Sequence, residues 1–371
     1  VLTLLRSVRA ERVLVANFAT TGLFLAFGDG WLADLTGAAW FTFVSLWLLA
    51  VMFLSAFAVV RHAEALAVKL GEPYGTLILT LAVTGIEVMM IAAVMYTGKG
   101  NSALARDAMM AVVMIVLNGM VGLCLVLGGL RYREQAYNLQ GANSFLAVIL
   151  PLAVLGLVQP NFTVTTPGPV YSPIQAGFLI IMSVVLYGVF LGMQTSRHRD
   201  YFISPNAPAG ESELHSPGHA VRSIPYHVAL LFAYVVPLVV LSKHIGVPIN
   251  HAIHVLRAPP ELAGFLVSVL ILSPEALTAI RAALANQLQR SVNVLLGSVL
   301  ASIGLTIPAV LVVGFVTGQE IVLGLGATDM NLLLLTLVLS TLTFAAQRTN
   351  VLLGAVHLLV FFAYLLFIFE R

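Results

Sequence analysis

Charged side chains are scarce in this chain. Of its 371 residues, only 18 are Lys or Arg and 16 are Asp or Glu, so charged residues make up 9% of the total. An average soluble domain contains about 25%. Hydrophobic residues reach 60%, and the mean hydropathy is +1.00. These values exclude an ordinary soluble protein of this length and predict a polytopic protein embedded in a lipid bilayer.

Cysteine and net charge are also low. Cys124 is the single cysteine, which excludes a disulfide framework or a thiolate metal site within one chain. The formal net charge is +2, and there is no basic stripe with interleaved aromatic residues, so the sequence predicts no nucleic-acid partner. The chain begins at Val1 rather than Met, which we interpret as the loss of an N-terminal piece.

Long apolar runs dominate what is present. A membrane-spanning helix needs about 20 predominantly apolar residues. Eleven runs predict an all-α protein with spans near 13–28, 40–60, 74–97, 107–129, 143–161, 174–194, 226–243, 262–285, 291–316, 329–346 and 351–369. If the N-terminus is cytoplasmic, 13 Lys and Arg residues fall on the cytoplasmic side and 5 on the outer side. This bias follows the positive-inside rule, so we predict a multi-pass protein of the cell (inner) membrane with its C-terminus outside.

The sequence also divides into two halves. The predicted units are an extra N-terminal helix and outer loop (1–39), a first five-helix repeat (40–194), a flexible cytoplasmic linker (195–225) and a second five-helix repeat (226–371). A Gln-x-x-Asn motif at Gln135 has a counterpart at Gln347, and each half has one deep carboxylate in its second span. Because these two spans cross in opposite directions, we predict inverted repeats, which are typical of secondary transporters.

Two glutamates are the main candidates for function. Of the 16 acidic residues, only Glu87 and Glu275 lie deep within predicted spans, where a carboxylate costs at least about 2.5–3.5 kcal/mol. Two carboxylates that meet there must be neutralised by protons or by a bound cation. Proton-coupled cation exchange requires this competition, and hard cations prefer oxygen ligands. A silent, permanently protonated glutamate inside the bundle is the alternative.

Small polar residues on neighbouring spans provide further oxygen atoms. The predicted supporting residues are Thr80, Thr84, Asn118, Ser273, Ser298 and Ser302. The two threonines share a helix face with Glu87, and the serines at 298 and 302 form a stripe with Thr306. The alternative is bonding to the helix backbone for the threonines, and close helix packing for the small residues of the fourth and ninth spans. His251 and His254, in the predicted outer connection, form a zinc pair only if a third ligand is found.

Five segments of the chain carry a family likeness: GEPYGTLILTLAVTGIEV, RDAMMAVVMIVLNGMVGLCLVLGGLRYREQ, ILSPEALTAIRAALANQLQR, GSVLASIGLTIP and RTNVLLGAVHL. Together they resemble the bacterial ChaA-type cation/proton antiporters of the Ca²⁺/cation antiporter superfamily. The resemblance covers nearly the whole chain and implies two five-helix repeats after an extra helix, with Glu87 and Glu275 as the shared cation and proton site. Calcium-selective relatives carry amides where this chain has Thr84, Leu272 and Ala301, so Na⁺ and K⁺ are candidates beside Ca²⁺.

We therefore predict an antiporter, not an enzyme, that exports Ca²⁺, Na⁺ or K⁺ in exchange for protons by alternating access. It needs no cofactor beyond these transported ions. The alternatives are a hydrolase with a membrane-embedded carboxylate dyad and a passive cation channel. The sequence contains no His-Glu-x-x-His, Gly-x-Ser-Gly or Gly-x-Gly-Asp motif, which disfavours the hydrolase. Whether the chain acts alone or as a homo-oligomer is left open.

Overall fold

The computed structural model describes residues 11–71, 74–97, 102–204, 223–255, 257–346 and 348–370, except the side chains at positions 76, 96 and 97. Over these residues the chain forms eleven apolar helices, of which ten are long and apolar enough to cross a membrane. Their bounds are α1 Arg12–Ala33, α2 Ala38–Leu70, α3 Tyr74–Thr97, α4 Leu104–Tyr132, α5 Leu139–Phe162, α6 Pro173–Arg197, α7 Ile224–His254, α8 Glu261–Leu284, α9 Leu288–Thr317, α10 Ala327–Thr343 and α11 Val351–Phe369. The predicted all-α fold class is confirmed.

Two helices extend well beyond their predicted spans. α2 has 33 residues and α7 has 31, which correspond to roughly 45–50 Å of helix. The apolar run of α2 stops near Arg61, but the helix continues to Gly71, where a φ of 65° ends it. α7 continues through His251 and His254, so our placement of these histidines in an outer connection is wrong. Hydropathy indicates where the apolar run stops, whereas a helix ends only where the backbone leaves helical geometry.

The third helix of each half contains a π-helical segment. In α4 this segment covers Met114–Met120, and in α9 it covers Ser302–Thr306. Five-residue stretches of the same type also occur in α5 and α6. Such segments are rare in helices and are frequent at functional sites. Their presence in corresponding helices of the two halves agrees with a repeat.

The described parts of the two Gln-x-x-Asn motifs pair with each other. Gln135–Ala136 (β1) and Arg348–Thr349 (β2) form an antiparallel pair of strands. The asparagine after each strand caps the next helix, Asn138 for α5 and Asn350 for α11. However, the motif precedes the fourth helix of the first half and the fifth helix of the second half. Our use of the motif as evidence for equivalent positions in the two repeats is therefore wrong. The motif reflects a local structure that both places share, a short strand followed by an asparagine that caps a helix.

Helices from the two halves interleave at the centre of the bundle. α3 packs against α8, and the two long helices α2 and α7 pack against each other and both contact α1. α8 also lies along α4, while α3 contacts the π-helical segment of α9. The second helix of each half thus contacts the third helix of the other half. This reciprocal packing is what two inverted five-helix repeats produce, and it brings the helices that carry Glu87 and Glu275 together.

The predicted linker is described only at its two ends. Arg199–Phe202 forms a short 3₁₀ turn after α6, and the ring of Phe202 packs against Phe145 and Phe190. This contact anchors the start of the linker on α5 and α6. Residues 205–222, which include Glu211, Glu213, His215 and His219, lie outside the described residues, as do residues 1–10. The unit boundaries proposed from the sequence stay a prediction.

Candidate functional site

Glu87 is held by hydroxyl groups of the opposite half. It lies on α3 with 2% of its surface exposed. Its Oε2 accepts hydrogen bonds from Ser302 Oγ at 2.8 Å and from Thr306 Oγ1 at 2.7 Å, both on the π-helical segment of α9. Its Oε1 is buried and has no hydrogen-bond partner among the described residues. Oε2 thus accepts two hydrogen bonds, whereas Oε1 is left free to accept one.

Glu275 is held by the same helix, one turn away. It lies on α8 directly after Pro274, which lacks the backbone N–H of an ordinary helical residue. Its Oε2 accepts a hydrogen bond from Ser298 Oγ at 2.7 Å. Ser298, Ser302 and Thr306 follow one another at intervals of four residues, so they form a single ridge of α9. We call these three residues the hydroxyl ridge.

The hydroxyl ridge brings two carboxylates from opposite halves close together. Ser298 and Ser302 are separated by a rise of about 6 Å along the helix. Two unit charges at about 6 Å repel by roughly 3 kcal/mol at an effective dielectric constant of about 20. Among the described residues, no basic side chain bonds to either glutamate. Ionising both carboxylates together therefore costs free energy, which a bound cation offsets and which protonation avoids.

The other predicted supporting residues differ in their placement. Thr84 is buried and lines the same cavity as Glu275, and Thr80 lines it beside Tyr187. The hydroxyl of Ser273 donates to the carbonyl of Val269 in its own helix, so it is not directed at a glutamate. Ser273 thus satisfies its hydroxyl within its own helix, as hydroxyl side chains in helices often do.

Asn118 belongs to a separate buried network. Its Nδ2 donates to Thr336 Oγ1 at 2.7 Å, and its Oδ1 lies 3.1 Å from His357 Nδ1. Because an amide oxygen only accepts, His357 donates from Nδ1, and its Nε2 accepts from Thr343 Oγ1 at 2.9 Å. This network joins α4, α10 and α11 and forms no hydrogen bond with Glu87 or Glu275. The structure therefore does not bring Asn118 to the carboxylates.

A cavity of about 190 Å³ leads to the site. Glu275, Thr84 and the serines of the hydroxyl ridge line its inner part. Its other lining residues include Glu64 near the end of α2, Gln194 near the end of α6 and Arg290 near the start of α9. These helix ends lie together, on the side that the distribution of Lys and Arg predicts to be cytoplasmic. The cavity therefore connects Glu275 with one end of the bundle, whereas Glu87 is buried behind its lining residues Thr84 and Ser302.

Two residues at this site, Thr306 and Glu64, were not predicted from the sequence. Thr306 was seen in the stripe but was not predicted to contact Glu87, although its spacing from Ser302 was the available signal. Glu64 was not considered because the apolar run of α2 was ended at Arg61. Its position seven residues before Gly71 would have placed it inside a helix that continues to that glycine.

The described residues contain no group of three or more His, Cys, Asp or Glu side chains that could hold a metal ion. His251 packs its ring against Phe41, with ring centroids 5.2 Å apart. The third ligand that a zinc site at His251 and His254 would need is thus absent from this part of the chain. A cation at the two glutamates would be held by carboxylate and hydroxyl oxygen atoms, a ligand set typical of hard cations.

Known proteins are similar to this chain in sequence and in fold. The profile of the sodium/calcium exchanger protein family matches residues 40–196 and 226–370. The chain is 41% identical over 316 residues to the sodium-potassium/proton antiporter ChaA of Escherichia coli (strain K12), which covers 85% of this chain and 86% of ChaA. The structure of native YfkE superposes with a TM-score of 0.73 at 16% identity, covering 97% of this chain and all of YfkE. The H⁺/Ca²⁺ exchanger CAX gives a TM-score of 0.63 at 13% identity, covering 94% of this chain and 89% of CAX.

Proposed function

Because this chain belongs to the sodium/calcium exchanger protein family, we propose that it is a membrane antiporter that exchanges inorganic cations for protons. The resemblance to ChaA, a sodium-potassium/proton antiporter, supports Na⁺ and K⁺ as cargo. The fold shared with CAX, an H⁺/Ca²⁺ exchanger, keeps Ca²⁺ among the candidates. We place the protein in the cell (inner) membrane with a cytoplasmic N-terminus. The proposal requires no cofactor, since cations and protons are the cargo.

One observation carries this proposal: Glu87 and Glu275, from opposite halves, are bonded to adjacent turns of the hydroxyl ridge. With both carboxylates ionised, a cation is attracted by two negative charges and by the hydroxyl oxygens beside them. With protons bound, that attraction is lost and the cation leaves. The same oxygen atoms thus serve either cargo but not both at once, which is the requirement for coupled exchange.

The ligand set bears on which cation is carried. Ca²⁺ takes six to eight oxygen ligands and is favoured by a high ligand charge. Here two carboxylates are available, and the neighbouring positions 84 and 301 carry a hydroxyl and a methyl group rather than amides. One Ca²⁺ would balance both charges in exchange for two protons, whereas Na⁺ or K⁺ would balance one charge each. We propose that Na⁺ and K⁺ compete effectively with Ca²⁺ for this site.

Transport by alternating access requires the site to open to one side at a time. The cavity connects Glu275 with the end of the bundle that carries Glu64 and Arg290. Toward the other end, α8 packs closely on α4: Ser268 Oγ donates to the carbonyl of Ala108 at 3.0 Å. A side-chain Cβ at Gly264 would lie only 2.6 Å from the backbone nitrogen of the same alanine. We propose that this contact closes the outer side while the inner cavity is open.

The test is exchange in everted membrane vesicles with a pH-sensitive dye, to which Ca²⁺, Na⁺ and K⁺ are added in turn. Glu87→Gln and Glu275→Gln are each expected to abolish cation-driven proton movement. Glu134→Gln is the matched control, because Glu134 is exposed and pairs with Arg348 at the surface. Substantial exchange retained in either glutamate variant would overturn the proposal. Cation flux that moves no protons would indicate the channel instead.

A further inference from the structure

The cavity is lined by a second carboxylate besides that of Glu275. Glu64 lies on α2, is half-buried, and lines the cavity together with Arg290 of α9. Arg290 precedes Ser298 by eight residues, a distance of about 12 Å along the helix. Glu64 lies within electrostatic range of both Arg290 and Glu275. A cation that enters the cavity from this end would therefore meet Glu64 before it meets Glu275.

The surroundings of Glu64 leave its charge available. Among the described residues it forms no salt bridge, so Arg290 acts on it across the cavity rather than as a bonded partner. Gln194 and Thr278 line the same cavity with an amide and a hydroxyl group. The hydroxyl of Thr278 donates to the carbonyl of Pro274 at 3.0 Å, which leaves its oxygen lone pairs able to accept a cation. Oxygen atoms of three types thus line the route to Glu275.

We propose that Glu64 is an entry site that captures a hydrated alkali or alkaline-earth cation and delivers it to the paired glutamates. This inference rests on the proposed function. A single carboxylate in a cleft with low-dielectric walls concentrates cations near it and raises their rate of association. Such a site must also release its ion, because transport needs binding that is favourable but weak. Arg290 lines the same cavity, and its positive charge repels a cation bound at Glu64 and so favours its release.

The alternative is that Glu64 only stabilises helix packing through its attraction to Arg290. The two roles predict different kinetics. An entry site acts on cation capture, so its loss raises the KM for cation supplied on the Glu64 side and leaves the maximal rate nearly unchanged. A packing role would lower the thermal midpoint and the amount of active protein, with no preference for one face of the membrane.

The experiment compares cation saturation curves at low ionic strength in vesicles of both orientations. Glu64→Gln is expected to raise the KM about tenfold for cation added on the Glu64 side, with the maximal rate within twofold of the unaltered protein. The KM for cation added on the opposite side is expected to stay unchanged. Glu64→Asp keeps the charge and is expected to restore most of the affinity, whereas Glu134→Gln should behave like the unaltered protein.

An unchanged KM in Glu64→Gln would overturn the entry site. So would an equal loss in Glu64→Gln and Glu64→Asp with a lowered thermal midpoint, since that pattern belongs to packing. The proposed function fails separately, if Glu87→Gln or Glu275→Gln retains exchange. If those two variants are inactive and Glu64→Gln is indistinguishable from the unaltered protein, only the entry site is refuted.

Discussion

The hydroxyl of Thr306 offers a quantitative test of how Glu87 is held. Thr306 is fully buried and donates to Glu87 Oε2 at 2.7 Å. Thr306→Val keeps the shape of the side chain and removes this donor. A hydrogen bond to a charged group contributes about 1.5–3 kcal/mol. Because each 1.4 kcal/mol is about a factor of ten, we expect the KM for the transported cation to rise roughly 10- to 150-fold.

The reason for this direction is the charge that the bond stabilises. Cation binding requires ionised Glu87, and the bond from Thr306 favours that state over the neutral one. Ser302 Oγ still donates to the same oxygen in the variant, so the loss is partial rather than complete. The assay is cation saturation of proton exchange in proteoliposomes at one fixed pH, with the amount of inserted protein measured for each variant.

Thr306→Ser is the matched control, because it keeps the hydroxyl and removes only a methyl group. We expect its KM to lie within a few-fold of the unaltered protein. If Thr306→Val exchanged cations with an unchanged KM, the hydroxyl would have no part in holding Glu87. If serine and valine weakened transport equally, packing of the methyl group would explain the effect and the reasoning would be refuted.

Three further predictions concern the framework. Gly264→Ala places a methyl group against the backbone of α4, so we expect about 1–3 kcal/mol of destabilisation and a lower thermal midpoint, whereas Gly188→Ala meets nothing within 4 Å and should be neutral. Asn118→Ala removes one hydrogen bond from each of its buried partners, Thr336 and His357, so the thermal midpoint should fall while the cation KM stays within twofold. A changed KM with an unchanged thermal midpoint would instead identify Asn118 as a ligand of the cation. Hydrogen bonds from the hydroxyl and backbone N–H of Thr36 hold the pKa of Asp34 below its ordinary value. These bonds therefore stabilise the folded protein above about pH 4, and this stabilisation is lost as the pH falls. Thr36→Ala should raise that pKa in an NMR titration, and no change would refute the assignment.

Much of the fold follows from the sequence because a bilayer imposes simple rules. An apolar run of about 20 residues must form a helix to satisfy its backbone, so the eleven helices were predictable from hydropathy. Glu87 and Glu275 were identifiable because so few charges lie deep in the apolar runs. Helix ends were harder to predict. The polar residues after Arg61 end an apolar run, but only Gly71 ends the helix, and this difference hid Glu64.

The detailed partners of the candidate site were not predictable in the same way. Which side chain meets which depends on the rotation of each helix about its axis, and hydropathy fixes that rotation only loosely. Asn118 lies in a span beside the glutamates but bonds to Thr336 and His357. Ser273 is two residues from Glu275 but bonds to its own helix. The hydroxyl ridge, by contrast, was visible as a periodic stripe, and only its two targets required the structure.

The most direct test is to count the protons released when a cation binds. Purified protein in weakly buffered detergent solution is titrated with Ca²⁺, Na⁺ or K⁺ while a pH-indicator dye reports free protons. Coupled exchange at the two glutamates predicts proton release that saturates with cation binding in the unaltered protein and is lost or reduced in Glu87→Gln and Glu275→Gln. Saturable cation binding with no proton release, or equal release from both variants and the unaltered protein, would contradict it.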